Sequence, residues 1–185
     1  LIVWGSHKNI VGSSDLVGIK YPYEVHHNFK NYRDTILLVD KGEKQVSSTI
    51  GHNLMHNHPF AKDRFAQAHT NLDALILVLK SGDLTAFISI VESEALTLHA
   101  MMMSSNPYFI LMKPNTLEII NKIWAFRAQT GLHICFTLDA GANVHVLFPD
   151  AEAKEIQEFI KTDLAMHCQN EHFIEDKLGQ GAQPI

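Results

Sequence analysis

Two apolar runs separated by a short polar turn constrain the fold of this chain more than any other feature. Residues 133–138 and 144–148 are rich in β-branched and aromatic side chains, which favours strands, and Asp139-Ala-Gly-Ala-Asn143 lies between them. So short a connection predicts an antiparallel hairpin. A buried hairpin needs no carboxylate at its bend, so this turn is a candidate position for chemistry.

From residue 35 onward the patterns predict the order strand, helices, strand, strand, helix, strand. Asp83 and Asp150 are typical N-caps, and Gly131 is a typical helix end. This order predicts an α+β fold, the ferredoxin-like split β-α-β sandwich, with extra helices in the first crossover. The predicted strands are 35–39, 133–138, 144–148 and 173–178, and the predicted helices are about 60–80, 83–104, 115–130 and 150–167.

The first 34 residues lack this periodicity. A short strand at 1–4 precedes a Gly/Ser-rich loop through Gly18, which is typical of a surface arm or connection. Because the chain opens within an apolar run and without Met, we expect 1–34 to be the remnant of an N-terminal domain and 35–185 to form the C-terminal domain.

Composition limits the class of protein. The chain has 185 residues, 46% hydrophobic and 19% charged, which is typical of a globular domain with one sizeable core. A net charge of −5 argues against binding to nucleic acid or a membrane surface. We see no apolar run of membrane-spanning length. Cys135 and Cys168 are expected to be reduced thiols in or near the core, as in a cytoplasmic protein.

The turn itself has two interpretations. A carboxylate at a strand end beside Gly141 can approach a ligand closely and orient or deprotonate a hydroxyl. Alternatively, Asp139 and Asn143 satisfy local backbone amides in an Asx-type turn.

Hydroxyl side chains at Ser47, Ser48 and Thr49 follow the first strand and precede the first helix. Hydroxyls and amides near a helix start suit phosphate oxygens. Helix capping explains the same residues.

The histidines predict no metal site. His52 and His56 have i,i+4 spacing, but the Glu of H-E-x-x-H is missing, so we interpret them and His58 as structural or surface residues. His99 lies near the end of the second predicted helix, where a charged imidazole is favoured. The methionines at 101–103 indicate adaptable core packing.

Three segments in this order resemble mevalonate diphosphate decarboxylase (diphosphomevalonate decarboxylase) of the GHMP kinase superfamily. They are Val46-Ser-Ser-Thr-Ile-Gly51, Glu94-Ala-Leu-Thr-Leu-His-Ala100 and Phe136-Thr-Leu-Asp-Ala-Gly-Ala-Asn-Val144. The resemblance extends from about residue 30 to the end and implies the C-terminal half of such an enzyme. The family's catalytic Lys and ATP-phosphate loop belong to the other half, and neither G-x-x-x-x-G-K-[ST] nor G-x-G-x-x-G occurs in this sequence. Ala142 departs from the Pro that many members have.

The resemblance implies an ATP-dependent reaction. The 3-hydroxyl of mevalonate 5-diphosphate is phosphorylated, and loss of phosphate and CO2 then gives isopentenyl diphosphate. Asp139 is implied as the catalytic residue. Ser47, Ser48, Thr49 and Gly141 are implied as substrate-binding, with His99 and Asn143 as further candidates.

ATP and Mg are expected to bind mainly to the other half of a homodimeric enzyme, so the 185 residues alone should not turn over. Two alternatives stay open. One is a related GHMP small-molecule kinase without decarboxylation, and the other is a non-catalytic ferredoxin-like module for ligand binding or dimerisation.

Overall fold

The computed structural model describes residues 1–42, 55 and 57–179. In this part of the chain six strands and four α-helices follow one another. The strands are β1 (Ile2–Val3), β2 (Ile19–Lys20), β3 (Tyr32–Leu37), β4 (Cys135–Leu138), β5 (Val144–Pro149) and β6 (Phe173–Lys177). The helices are α1 (Ala61–Ser81), α2 (Leu84–Met103), α3 (Pro114–Thr130) and α4 (Ala153–Phe159), which continues as a π-helical turn to Leu164.

The main sheet has four strands in the order β4-β5-β3-β6, and every neighbouring pair is antiparallel. Val144 at the start of β5 lies opposite both Leu37 and Leu138. The ends of β3 and β4 therefore flank the start of β5 at one end of the sheet. The predicted α+β class and the β4–β5 hairpin are confirmed, whereas β3 begins at Tyr32, earlier than the apolar run indicates.

Local signals set most helix ends as predicted. The Asp83 side chain accepts a hydrogen bond from the Ala86 amide at 3.0 Å, which caps α2. Gly131 ends α3 with φ of 73°, a left-handed conformation that favours glycine.

The predicted cap at Asp150 is wrong. Its carboxylate makes no capping bond and instead accepts from Arg33 Nε of β3 at 2.5 Å. Arg33 lies opposite Phe148 on β5, so the sheet brings the guanidinium to the end of β5. A charge-assisted bond across the sheet is preferred here over a local bond to a neutral amide.

Two clusters of buried side chains hold the layers together. The larger one joins the sheet to α3, α4 and the π-helical turn. The smaller one packs Tyr32 of β3 and Phe29 against Val78 and Leu79 of α1, with Phe87 of α2 alongside. Cys135 and Cys168 are free and buried, as expected.

Helix α2 corrects the expectation that the chain has no apolar run of membrane-spanning length. Its 20 residues are long and apolar enough to cross a membrane by length and composition. A core helix has the same properties, and α2 packs against α1 and β4 with Ala95 and His99 buried.

Candidate functional site

A cleft of about 120 Å³ opens where β3, β4 and the start of α3 meet. The β4–β5 turn forms one wall, the segment after β3 forms another, and the residues before α3 form the third. Beside apolar residues, the lining includes four polar residues and two glycines: Asp40, Gly42, Lys113, Asp139, Gly141 and Asn143. The cleft therefore brings together three of the residues singled out in the sequence.

Asp139 follows directly on β4, and its side chain is exposed at the cleft. Its carbonyl oxygen accepts two hydrogen bonds, from the Gly141 amide at 2.8 Å and from His99 Nε2 at 3.0 Å. A Cβ at position 141 would lie 3.2 Å from Asp139 Oδ1, closer than ordinary packing allows. Gly141 thus leaves room for the carboxylate over the turn. The hydrogen bond from His99 fixes the backbone of the turn.

His99 is 1% exposed and does not line the cleft. Because a carbonyl oxygen only accepts, His99 Nε2 carries the proton in this bond. Burial lowers the pKa of His99, against the smaller effect of its bond to Asp139, so the imidazole is neutral. Burial disfavours the charged imidazole expected for a helix-end histidine, and His99 supports the turn from the core.

Asn143 connects the turn to a distant part of the chain. Its Oδ1 accepts from the Asp40 amide at 3.0 Å. The local-turn interpretation is therefore wrong for this side chain, which fixes the segment after β3 against the β4–β5 turn. Asp40 makes the Asx turn instead, because its Oδ1 accepts from the Gly42 amide at 2.8 Å.

Thr116 and Lys113 belong to this site, although the sequence did not identify them. Thr116 is fully buried, and its Oγ1 donates to the Ala142 carbonyl at 2.7 Å and accepts from the Lys113 amide at 3.1 Å. The sequence predicted only that a helix begins near residue 115. It did not show that the threonine also binds the turn.

The candidate phosphate-binding residues Ser47, Ser48 and Thr49 lie outside the described residues, as do His52 and His56. Their predicted roles, and a site shared with Asp139, stay predictions. His58 is buried with Nε2 3.1 Å from Ser104 Oγ, which agrees with a structural role. Within 1–42 and 57–179, no group of three His, Cys, Asp or Glu side chains is arranged to hold a metal ion.

Comparison with known proteins places this geometry in context. Residues 35–184 match the family model of the mevalonate 5-diphosphate decarboxylase C-terminal domain. A phosphomevalonate decarboxylase of Haloferax volcanii is 24% identical over 97 residues, which cover 52% of this chain and 30% of that protein.

Solved structures agree in fold. A mevalonate diphosphate decarboxylase from Staphylococcus aureus has a TM-score of 0.77 at 22% identity, covering 92% of this chain and 50% of that one. MDDEF, solved in complex with MVAPP, AMPPCP and magnesium, has a TM-score of 0.75 at 24% identity, covering 89% and 49%. At these identities the likeness establishes the fold, and this chain spans about half the length of those structures.

Proposed function

The chain belongs to the family of mevalonate 5-diphosphate decarboxylase C-terminal domains, and we propose that it is the substrate-side portion of an ATP-dependent diphosphomevalonate decarboxylase. The observation that carries the proposal is the cleft that groups Asp139, Gly141 and Asn143 at the end of the sheet. The sheet order and the helices between β3 and β4 support the ferredoxin-like arrangement.

Asp139 has two functions in this proposal. Its carboxylate accepts a hydrogen bond from the 3-hydroxyl of mevalonate 5-diphosphate and orients or deprotonates that oxygen for attack on the terminal phosphate of ATP. The hydroxyl proton passes on to the departing phosphate, so Asp139 is an anion again when positive charge develops at C3, and it stabilises that charge. Gly141 keeps the approach to the carboxylate open, and Asn143 holds the opposing wall.

Ser47, Ser48 and Thr49 are proposed to contact the substrate. Gly42 lines the cleft and precedes them closely in the sequence, which supports this assignment.

We propose that residues 1–34 connect to a further domain, supported by the start of the family match at residue 35. We propose a cytoplasmic location, supported by the buried free thiols of Cys135 and Cys168. That the enzyme is a homodimer stays a prediction.

ATP supplies the phosphoryl group, and Mg²⁺ neutralises charge on its phosphates when bound. Magnesium in such sites is held by one or two carboxylates together with phosphate oxygens. Asp139 binds the hydroxyl in this proposal, so we propose that the nucleotide phosphates and the other half of the enzyme would hold the metal, rather than Asp40 or Asp139 of this cleft. MDDEF with MVAPP, AMPPCP and magnesium supports this combination of ligands.

A second substrate is favoured by a specific observation. The Haloferax volcanii relative is a phosphomevalonate decarboxylase, so mevalonate 5-phosphate is the alternative substrate, with the same chemistry at C3. Comparing kcat/KM for mevalonate 5-phosphate and mevalonate 5-diphosphate in the full-length protein distinguishes the two.

Replacement of Asp139 tests the proposal. In the full-length protein, Asp139→Asn should lower kcat for CO2 and ADP release by on the order of 10²-fold or more, because the amide cannot accept the proton. Asp163→Asn, at an exposed aspartate beyond α4, is the matched control and should retain wild-type kcat. Near-normal kcat for Asp139→Asn would refute the catalytic role of Asp139.

A further inference from the structure

The cleft beside Asp139 contains two carboxylates and one lysine among its described lining residues. The substrate and nucleotide of the proposed reaction are polyanions, and both carboxylates repel them. A cation at the cleft offsets part of this repulsion. We propose that Lys113 binds a phosphate-type oxyanion of the reactants in this cleft. The inference rests on the proposed function and adds a binding residue that the sequence did not indicate.

The backbone of Lys113 is fixed relative to the turn. Its amide donates to Thr116 Oγ1 at 3.1 Å, and the same hydroxyl donates to the Ala142 carbonyl at 2.7 Å. One fully buried hydroxyl thus sets the distance between the lysine backbone and the catalytic turn. This anchoring fixes where the lysine side chain begins relative to the turn, so its flexible stem carries the ammonium within reach of the cleft.

The ammonium group of Lys113 can change its partner from Asp40 to a bound ligand. Lys113 Nζ lies 3.9 Å from Asp40 Oδ2, and the two side chains are 44% and 45% exposed. Charge-assisted N–H···O bonds are about 2.7–2.9 Å long, so this pair makes no close bond. Half-exposed pairs at such distances contribute little to stability. An incoming phosphate oxygen can therefore replace Asp40 as the partner of Lys113 without breaking a strong interaction.

Asp40 is itself held at the cleft. Its amide donates to Asn143 Oδ1 at 3.0 Å, and its Oδ1 accepts from the Gly42 amide. Its Oδ2 is the atom nearer the lysine. Asp40 thus places a negative charge near the ammonium before the reactants arrive and competes with them for it.

The experiment measures binding to the full-length protein by calorimetry, with mevalonate 5-diphosphate and AMPPCP as separate probes. Lys113→Met should weaken at least one of them by on the order of 10-fold, whereas Lys113→Arg keeps the charge and should stay within about 3-fold of wild type. Lys122→Met, on α3 and outside this cleft, is the matched control and should bind both probes normally. Weakening confined to mevalonate 5-diphosphate assigns the oxyanion to the substrate, and weakening confined to AMPPCP assigns it to the nucleotide.

Asp40→Asn provides an independent arm, because the amide keeps the Oδ1 acceptor and removes the competing charge. Binding of the affected probe should tighten. Unchanged affinity for both probes in Lys113→Met overturns the proposal, and weaker binding in Asp40→Asn overturns the competition between Asp40 and the ligand. These arms need no turnover. Normal kcat in Asp139→Asn together with weakened binding in Lys113→Met would refute the catalytic role of Asp139. The proposal that Lys113 binds an oxyanion would still stand.

Discussion

At the scale of single residues, the position of the β4–β5 turn depends on two buried donors from two helices. His99 of α2 donates to the Asp139 carbonyl, and Thr116 of α3 donates to the Ala142 carbonyl. A buried carbonyl left without a donor costs about 1–3 kcal/mol. The first carbonyl keeps its bond from the Gly141 amide if His99 is lost, so the lower end of that range applies there.

The difference in stability between the wild type and His99 variants should depend on pH in a defined direction. Burial lowers the pKa of His99, so the unfolded chain takes up this proton at higher pH than the folded chain. The resulting contribution to the free energy of unfolding is fully present above the ordinary pKa of 6.5 and is lost as pH falls through 6.5 toward the folded-state pKa. His99→Gln keeps an amide donor but cannot titrate. Wild-type minus variant stability, from urea unfolding, should therefore decrease between pH 7.5 and pH 5.0.

His99→Leu is the companion variant, since it removes the donor as well as the titration. It should be about 1 kcal/mol less stable than His99→Gln at pH 7.5. A wild-type minus Gln difference that is constant or grows on acidification would contradict a neutral, buried His99.

At the scale of elements, α2 uses two glutamates to bind a helix on either side. Glu92 accepts from Trp124 Nε1 at 2.9 Å and from Arg127 at 2.6 and 3.0 Å, both on α3. Glu94 accepts from Arg64 of α1 at 2.5 Å. Their spacing of two residues places the two side chains on different faces of the helix.

The bond between Glu92 and Arg127 should dominate the polar contribution to helix packing. Glu92→Leu leaves the guanidinium with the Ile134 carbonyl alone, at 2.7 Å. We expect a loss of about 2–3 kcal/mol in the free energy of unfolding, less than for a fully buried pair because the Arg127 side chain is 26% exposed. Guanidinium chloride unfolding measures it. Asp150→Asn, in the more exposed pair with Arg33, is the control and should cost less than about 1 kcal/mol.

The double variant Glu92→Leu/Arg127→Leu tests the cause of that loss. If an unpaired charge is responsible, removing the arginine as well should recover part of the stability. Equal or greater destabilisation in the double variant would assign the effect to packing instead.

Elements were predictable where local chemistry decides them, and the site was predictable only in part. Asp83 and Gly131 act within one turn of their helices, so their roles were visible in the sequence. Asp150 was misjudged because its partner, Arg33, is 117 positions away.

Asp139 stood out as a charge in an apolar hairpin. Lys113 carries no such signal, because a lysine before a helix is ordinary and only tertiary contacts bring it to the cleft.

At the scale of the whole molecule, the sheet order explains why the site lies where it does. The antiparallel pairing places the ends of β3 and β4 beside the start of β5, and the residues that follow β3 and β4 line one cleft. The start of α3 reaches the same end through Thr116. Residues from three separate parts of the chain therefore converge at one sheet end, which explains why no single sequence motif contained the whole site.

The size of this cleft leads to a prediction for the chain by itself. Sites that enclose a small molecule usually have about 300–1,000 Å³, whereas the described residues form a cleft of about 120 Å³ around Asp139. The sequence also lacks the glycine-rich phosphate-loop patterns that bind nucleotides. The 185 residues alone should therefore release no ADP with mevalonate 5-diphosphate and ATP, although their two buried clusters should give cooperative urea unfolding.

A coupled assay for ADP, run beside the full-length protein, measures this outcome. Cooperative unfolding of the same sample shows that missing activity does not come from a missing fold. ADP release by the 185 residues would contradict the prediction. If the same chain with Asp139→Asn then lost that release, the catalytic carboxylate would stand and the need for further protein around the cleft would be refuted.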